Sequence, residues 1–187
     1  MPKQKTAHLT LPTTRIHVCS LAAVPDTVAS ARATHLMTVI NAQTAVETPA
    51  SIEARRHLKI AVNDISVPQV GLVHPQSKHI EEILRFAREW DHAGPLVVHC
   101  WAGISRSTAA TFITLCALNE DGLEARIARS IRQASATATP NPLMVSIADD
   151  MLGRRGRMMD AVAAIGQGEM ALSGAPFSMP SRFPATD

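Results

Sequence analysis

The sequence predicts an α/β fold in which a central, mostly parallel sheet of four or five strands is flanked by helices and followed by a helical C-terminal half. Short apolar runs alternate with helical segments up to about residue 99, which is the pattern of successive βα units. Beyond residue 108, apolar residues recur at helical spacing instead. The chain has 187 residues and is 46% hydrophobic, which suits one domain with a buried core.

Four apolar runs in the first half predict buried strands, because each is short and bounded by polar or turn-forming residues. They cover residues 16–21, 35–40, 58–62 and 96–99. An alanine-rich helix is predicted from Pro25 to about residue 32. A second helix is predicted between Pro75 and Gly94, with a regularly spaced apolar face formed by Ile80, Ile83, Leu84 and Ala87. Residues 42–56 predict a loop or a short helix.

The second half predicts helices separated by glycine-containing turns. They cover residues 108–118, 123–134, 142–152 and 158–165. From residue 173 onward the chain is rich in Gly, Pro and Ser. We therefore expect a single catalytic domain over residues 1–172 and a C-terminal tail over residues 173–187, which is either packed down or flexible.

Composition excludes several classes of function. A net charge of +2 gives no global attraction to nucleic acid or to an anionic membrane. No apolar run follows Met1–Thr6 as a signal peptide requires, and none reaches the roughly 20 residues that span a bilayer. The three cysteines form no CxxC pair, so Cys19 and Cys116 are expected to be core residues. These features predict a cytoplasmic protein in a reducing compartment, with no metal or cofactor and with an oligomeric state that the sequence leaves open.

The segment LVVHCWAGISRST, residues 96–108, combines an apolar strand, a short loop and the start of a helix. A loop at such a junction directs backbone N–H groups inward beside the positive end of a helix dipole, and it binds an oxyanion such as phosphate. The same field stabilises a thiolate on Cys100, which makes this residue a candidate nucleophile. Arg106 offers a planar pair of donors to two phosphate oxygens, and Ser107 is placed to hydrogen-bond the sulfur. The backbone amides of the loop are further candidate phosphate binders, and they belong to Trp101, Ala102, Gly103, Ile104 and Ser105.

The string HCWAGISRST resembles the signature of the cysteine-dependent protein tyrosine phosphatase superfamily. It is most similar to the dual-specificity branch, where HCxAGxSRS is usual, and it suggests a small phosphatase of the bacterial type. Asp64 follows a predicted strand at about the place where that branch keeps its general-acid aspartate. Ala138-Thr139-Pro140-Asn141 resembles the SPN segment that opens a late helix in those enzymes. The likeness covers roughly residues 16–155.

The resemblance implies a tyrosine phosphatase-like fold and a phosphomonoester hydrolase that acts through a phosphocysteine. It makes Cys100 the nucleophile and Arg106 the phosphate binder. It makes Asp64 the general acid and base, and His99 and Asn141 supporting residues. Phosphotyrosine or mixed phosphoprotein substrates are expected. Phosphoinositides and small phosphomonoesters stay open as alternatives, although the loop contains no lysine to meet additional phosphates.

Two departures separate this chain from the deep-pocket tyrosine phosphatases. The segment Asn63-Asp64-Ile65-Ser66 has no Trp-Pro before the acid, and the chain contains no tyrosine. Several alternatives stay open at this point. Asp64 is otherwise a turn residue, with Asp91 as a second candidate acid. Trp101 either lines the rim of the pocket or packs beside the loop. Asn141 either orders the phosphate loop or caps a helix. A phosphate-binding pseudophosphatase, and sulfur transfer or arsenate reduction, are the competing functions.

Overall fold

A five-stranded sheet lies at the centre of the part of the chain that the computed structural model describes, residues 14–184. The strands are β1 (Arg15–Ser20), β2 (His35–Ile40), β3 (His57–Ala61), β4 (Leu96–Cys100) and β5 (Phe177–Pro180). Their order across the sheet is β3-β2-β4-β1-β5. Strands β1 to β4 run parallel, and β5 is antiparallel to β1. The predicted α/β fold is therefore confirmed, and the carboxyl ends of four strands meet at one edge, where parallel sheets carry their sites.

Helices cover the two faces of the sheet unequally. They are α1 (Val24–Ala31), α2 (Ser77–Glu89), α3 (Arg106–Leu118), α4 (Glu124–Ala134), α5 (Pro142–Met151) and α6 (Arg157–Ile165), with short 3-10 helices at Leu21–Ala23 and Ala54–Arg56. Only α1 packs in the smaller core, against side chains such as Leu36 and Val97. The other five pack in the larger core, around Phe112 and Ile113 of α3. Helix α3 is buried on almost every side, and this explains its apolar composition.

Alternation along β4 assigns its side chains to the two cores. Leu96 and Val98 belong to the core on the α3 side, whereas Val97 belongs to the core on the α1 side. Because successive side chains of a strand point to opposite faces, Cys100 faces α3 and His99 faces α1. The sheet thus separates the candidate nucleophile from its histidine neighbour.

The observed strand and helix boundaries differ from the predicted ones by at most two residues at most ends. Helix α3 begins at Arg106 rather than at residue 108. The carbonyl of Ser105 accepts a hydrogen bond from the N–H of Ala109 (2.9 Å), which closes the first helical turn earlier than the polar sequence suggests. Residues 54–56 form a 3-10 helix within the segment predicted as a loop or a short helix.

The Pro/Ser/Gly-rich tail contributes a strand that composition did not predict. Phe177–Pro180 pair with β1, and Ser181 N–H donates to the carbonyl of Thr14 (2.8 Å). Pro180 is tolerated because it ends an edge strand, where one face of the backbone needs no partner. Up to residue 184 the tail is packed against the domain. The predictions about Met1–Thr6 and about the last three residues of the tail lie outside the described residues.

None of the helices between residues 14 and 184 is long and apolar enough to cross a membrane.

Candidate active site

The sulfur of Cys100 lies at the carboxyl end of β4, beneath the loop formed by residues 101–105. It is 3.2 Å from the hydroxyl oxygen of Ser107 and accepts a hydrogen bond from the N–H of Gly103 (3.3 Å). Cys100 is buried, with 2% of its surface exposed. The predicted contact between Ser107 and Cys100 is present.

The carbonyl groups of the loop are tied to segments that surround it. Those of Trp101, Ala102, Ile104 and Ser105 accept hydrogen bonds from the N–H groups of Leu21 (3.1 Å), Gly174 (2.8 Å), Thr139 (2.9 Å) and Asn141 (3.4 Å), respectively. In a trans peptide the C=O and the N–H point in opposite directions. Carbonyls held outward therefore leave the N–H groups of the loop facing inward, which is the arrangement of an anion-binding concavity.

Arg106 begins α3 and is buried next to the loop, with 6% of its surface exposed. One guanidinium nitrogen, Nη1, donates to the carbonyl of Val62 (2.8 Å). The Nε atom lies 3.9 Å from Oδ2 of Asp64, too far for a hydrogen bond, and has no hydrogen-bond partner among residues 14–184. The side chain is thus fixed at Nη1, and its Nε faces Asp64.

Asp64 is held beside the loop by two neutral donors. Its Oδ1 atom accepts from the hydroxyl of Ser105 (2.7 Å) and from Nδ2 of Asn141 (2.9 Å). Asn141 also uses its Oδ1 to accept from the N–H groups of Leu143 and Met144 (3.1 Å each), which caps α5. Both roles considered for Asn141 from the sequence therefore coexist: it caps α5 and links the loop after β3 to the loop after β4.

His99 is fully buried on the opposite face of the sheet from the sulfur of Cys100. Its Nε2 lies 2.6 Å from the hydroxyl of Thr38 on β2, and its Nδ1 lies 3.4 Å from the carbonyl oxygen of Cys100. Burial lowers the pKa of His99 from 6.5 to about 4. The ring is therefore neutral at physiological pH and contacts the nucleophile only through the backbone.

Two buried histidines predict a loss of stability in mildly acidic solution. Burial lowers the pKa of both His99 and His57, the first residue of β3, from 6.5 to about 4. Between these pH values the unfolded chain binds more protons than the folded one, so the free energy of unfolding falls as the pH is lowered. In this pH window the free energy of unfolding should fall more steeply, as the pH is lowered, for the wild type than for the His57→Gln variant. We expect the two slopes to differ by up to about 1.4 kcal/mol per pH unit. Urea unfolding across the window measures both slopes, and equal slopes would contradict the prediction.

The remaining candidate residues lie apart from these contacts. Trp101 is 59% exposed, and its position at the rim of the pocket stays a prediction. Asp91 accepts from the N–H of Ala93 (2.9 Å) and pairs with Arg56 (3.2 Å) near the starts of β4 and β3, at the opposite edge of the sheet from Cys100. Asp91 is therefore excluded as the acid for this site.

Cys19 and Cys116 are buried free thiols, as expected of core residues. In the pairing of β1 with β4, Cys19 lies opposite His99, so its side chain occupies the other face of the sheet from that of Cys100. Burial raises the pKa of Cys19 to about 11, and it also raises the pKa of Cys116.

Two contributions to the site were not predicted. The side chain of Ser105 binds Asp64, although only its backbone was a candidate for binding phosphate. Gly174, in the predicted tail, donates to the carbonyl of Ala102, so the tail helps to hold the loop. Neither contact has a local sequence signal, because each joins segments that are far apart in the chain.

Comparison with known proteins agrees with this geometry. Residues 63–137, which run from the residue before Asp64 through the Cys100 loop and α4, match the sequence model of the protein-tyrosine phosphatase family. No curated protein sequence matches the chain.

Solved structures with a similar fold include three phosphatase domains. DUSP15 is 19% identical, covers 81% of this chain and 91% of its own, and has a TM-score of 0.55. Human DUSP28 is 20% identical, with coverage of 74% and 88% and a TM-score of 0.53. The Yvh1 phosphatase domain from Chaetomium thermophilum is 20% identical, with coverage of 76% and 93% and a TM-score of 0.52. At these identities the likeness establishes the fold.

The central strand of the mostly parallel sheet ends in the cysteine–arginine loop, and the family match crosses that loop. Residues 63–137 match the protein-tyrosine phosphatase family, and the fold is similar to that of solved dual-specificity phosphatases. The resemblance predicted from the sequence is confirmed.

Proposed function

We propose that this protein hydrolyses phosphomonoesters, with protein phosphotyrosine or mixed phosphoresidues as the substrate class, through a phosphocysteine on Cys100. The observation that carries the proposal is the sulfur of Cys100, 3.2 Å from the hydroxyl of Ser107 and 3.3 Å from the N–H of Gly103, at the base of a loop whose carbonyls are tied outward. Such a loop supplies preorganised donors where negative charge develops on phosphorus oxygens.

The first step is attack of the Cys100 thiolate on phosphorus, in line with the leaving oxygen. The S–P bond forms, the P–O bond breaks, and Asp64 gives its proton to the leaving oxygen. Arg106 and the loop amides bind the three equatorial oxygens throughout. Because the sulfur faces α3 and the loop surrounds it, the nucleophile is already oriented before substrate binds.

The second step hydrolyses the phosphocysteine. Asp64, now a carboxylate, takes a proton from water as its oxygen attacks phosphorus, and the S–P bond breaks to release phosphate and the thiolate. The hydroxyl of Ser107, 3.2 Å from the sulfur, donates to the departing thiolate and makes it a better leaving group.

The contacts of Asp64 suggest which oxygen carries the proton. Oδ1 already accepts from Ser105 and Asn141, at 2.7 and 2.9 Å. Oδ2 accepts no hydrogen bond from the residues the structure describes and lies 3.9 Å from Nε of Arg106. We therefore assign proton transfer to Oδ2, on the side of the carboxyl that faces the phosphate-binding arginine.

The exposed ring of Trp101 supports substrates with an aryl or peptide group beside the phosphate, on which it can stack. The absence of lysine from the loop argues against polyphosphorylated small molecules. We further propose that residues 1–172 form the catalytic domain, which β5 of the tail completes. The free thiols at Cys19, Cys100 and Cys116 are consistent with a reducing compartment such as the cytoplasm.

Replacement of Asp64 tests the proposed mechanism. We expect wild-type protein to hydrolyse p-nitrophenyl phosphate and the Asp64→Asn variant to lose about 10²–10⁴-fold in kcat, because the amide can neither donate nor accept the transferred proton. The loss should be larger for phenyl phosphate, whose leaving group is more basic and needs protonation more. Steady-state assays with both substrates measure the two losses.

Asp91→Asn is the matched control, since it makes the same chemical change at the opposite edge of the sheet, and it should leave kcat unchanged. Absence of turnover by the wild type, together with measurable binding of tungstate, would reject the enzyme in favour of a phosphate-binding pseudophosphatase. Full activity of Asp64→Asn with phenyl phosphate would remove the acid role from Asp64.

A further inference from the structure

A line of four hydrogen-bonded side chains crosses the α1 face of the sheet and ends at the backbone of the nucleophile. The hydroxyl of Thr48 lies 2.7 Å from Nδ1 of His57, and Nε2 of His57 lies 2.8 Å from the hydroxyl of Thr38. The same hydroxyl lies 2.6 Å from Nε2 of His99, whose Nδ1 faces the carbonyl oxygen of Cys100 at 3.4 Å. Thr38 pairs directly with His99 in the register of β2 and β4.

The line is enclosed by protein. His99 has no exposed surface, Thr38 is 2% exposed and His57 is 9% exposed, whereas Thr48 is half-buried in the segment between β2 and β3. A buried polar group without a partner costs free energy, so each of these groups depends on its neighbours in the line. Burial also lowers the pKa of both imidazoles to about 4, so neither ring is charged at neutral pH.

Neutral rings leave one consistent placement of the protons. A carbonyl only accepts, so Nδ1 of His99 must carry the proton that faces Cys100, and Nε2 of His99 is then an acceptor. The hydroxyl of Thr38 donates to that Nε2 and accepts from Nε2–H of His57. Nδ1 of His57 is then an acceptor, and the hydroxyl of Thr48 donates to it. All four hydrogen bonds point in one direction, from Thr48 toward Cys100.

We propose that Thr38, His57 and Thr48 are positioning residues that hold His99 in the Nδ1–H tautomer, and that His99 thereby fixes the peptide following Cys100 in one orientation. That peptide is the first of the phosphate loop, and its N–H belongs to Trp101. Loss of the hydroxyl at Thr38 leaves the lone pair of His99 Nε2 without a donor, so the ring keeps only one of the two contacts that fix it. The ring is then free to tilt, its Nδ1–H no longer restrains the carbonyl of Cys100, and the peptide rotates or shifts away.

This inference rests on the proposed function, because it assigns the line of side chains to the reaction of Cys100. The test compares two replacements of one residue. Thr38→Val removes the hydroxyl, and Thr38→Ser keeps it. We expect Thr38→Val to lower kcat for p-nitrophenyl phosphate about tenfold with little change in KM, as misplacement of a reacting group does. Thr38→Ser should stay within about twofold of the wild type, since the hydroxyl is retained.

Changes in the loop between β2 and β3 separate positioning from packing. Thr48→Val removes the outermost donor from a half-buried position and should lower kcat in the same direction as Thr38→Val, but less. Thr44→Val is the matched control: the hydroxyl of Thr44 bonds Asn41 (3.1 Å) in the same loop and lies outside the line, so its loss should leave kcat unchanged. Because Thr48 is half-buried, this pair keeps the test decisive even where Thr38→Val does not fold.

A spectroscopic measurement tests the line without turnover. Ring ¹⁵N shifts of selectively labelled wild-type protein should report Nδ1–H for His99 and Nε2–H for His57, and Thr38→Val should move the Nε2 resonance of His99 to that of an acceptor without a donor. The opposite tautomers in the wild type would overturn the inference. Unchanged kcat in both Thr38→Val and Thr48→Val would also overturn it, and so would a loss of kcat in Thr38→Ser as large as that in Thr38→Val. An inactive wild type with the expected tautomers would reject the proposed function, and unchanged alkylation of Cys100 by iodoacetamide in Thr38→Val would then reject the positioning role.

Discussion

Replacement of Cys100 by serine is expected to abolish phosphomonoester hydrolysis, with a loss in kcat on the order of 10⁴-fold or more, as removal of a covalent nucleophile does. The serine hydroxyl is not ionised at neutral pH, so the donors of Ser107 and Gly103 have no thiolate to stabilise. Single-turnover assays with p-nitrophenyl phosphate, with acid-quenched protein analysed for phosphocysteine, measure both the rate and the intermediate. The intermediate should be present in the wild type and absent from Cys100→Ser.

The same variant should still bind an oxyanion. Arg106 and most of the loop are held independently of the sulfur, because Arg106 is anchored to Val62 and the loop carbonyls are held by surrounding segments. Tungstate binding, followed by calorimetry, is therefore expected to persist in Cys100→Ser. Cys116→Ser is the matched control, because it makes the same change in a buried thiol of α3, and it should retain activity. Residual turnover by Cys100→Ser comparable to that of the wild type would refute the nucleophile assignment.

The parts of the site that sequence predicted are those in which the chemistry is local. Cys100, Gly103, Arg106 and Ser107 lie within eight residues, and a strand, a tight loop and a helix start leave them few relative arrangements. The contact between Ser107 and Cys100 follows from one loop and one helical turn. The geometry of such a short motif can therefore be predicted from its sequence.

The contacts of Asp64 could not be predicted from local sequence in this way. Its position after β3 was predicted, but β3 lies at the edge of the sheet and β2 separates it from β4. Its contacts with Ser105 and Asn141 depend on how three separate loops meet at the carboxyl edge. No periodicity in the chain encodes such a meeting, and resemblance to a family supplied only the residue type and its approximate place.

The residues around His99 escaped prediction for a related reason. In the sequence, Thr38 and His57 are not distinguished from other polar residues in strands. Thr38 lies opposite His99 only because of the register of β2 against β4. Strand β5 was missed because its sequence, FSMP, has the composition of a loop. It is ordered by pairing with β1 and by burial of Met179, which are tertiary effects that override local propensity.

The largest structural effect is expected at Gly103, where backbone conformation and space both require glycine. Its φ is +74°, and an added Cβ would lie 2.8 Å from the carbonyl carbon of Cys19 and from the nitrogen of Ser20. Those are backbone atoms at the end of β1, the strand that supports the loop through the bond from Leu21 to Trp101. Gly103→Ala should lower the free energy of unfolding by about 2–4 kcal/mol, combining left-handed strain with overpacking. It should also lower kcat by about 100-fold, because the loop must move away from β1.

Gly153→Ala separates the backbone strain from the overpacking against β1. Gly153 also has a positive φ, +64°, but nothing lies within 4 Å of the Cβ that alanine would add. Its replacement should therefore cost only about 1–2 kcal/mol of unfolding free energy and leave kcat unchanged. Urea unfolding and p-nitrophenyl phosphate assays on both variants give the comparison. Equal losses of stability in the two variants would show that contact with β1 contributes nothing to the destabilisation of Gly103→Ala. Full activity of Gly103→Ala would mean that the loop reaches its catalytic conformation without the close approach between Gly103 and the end of β1.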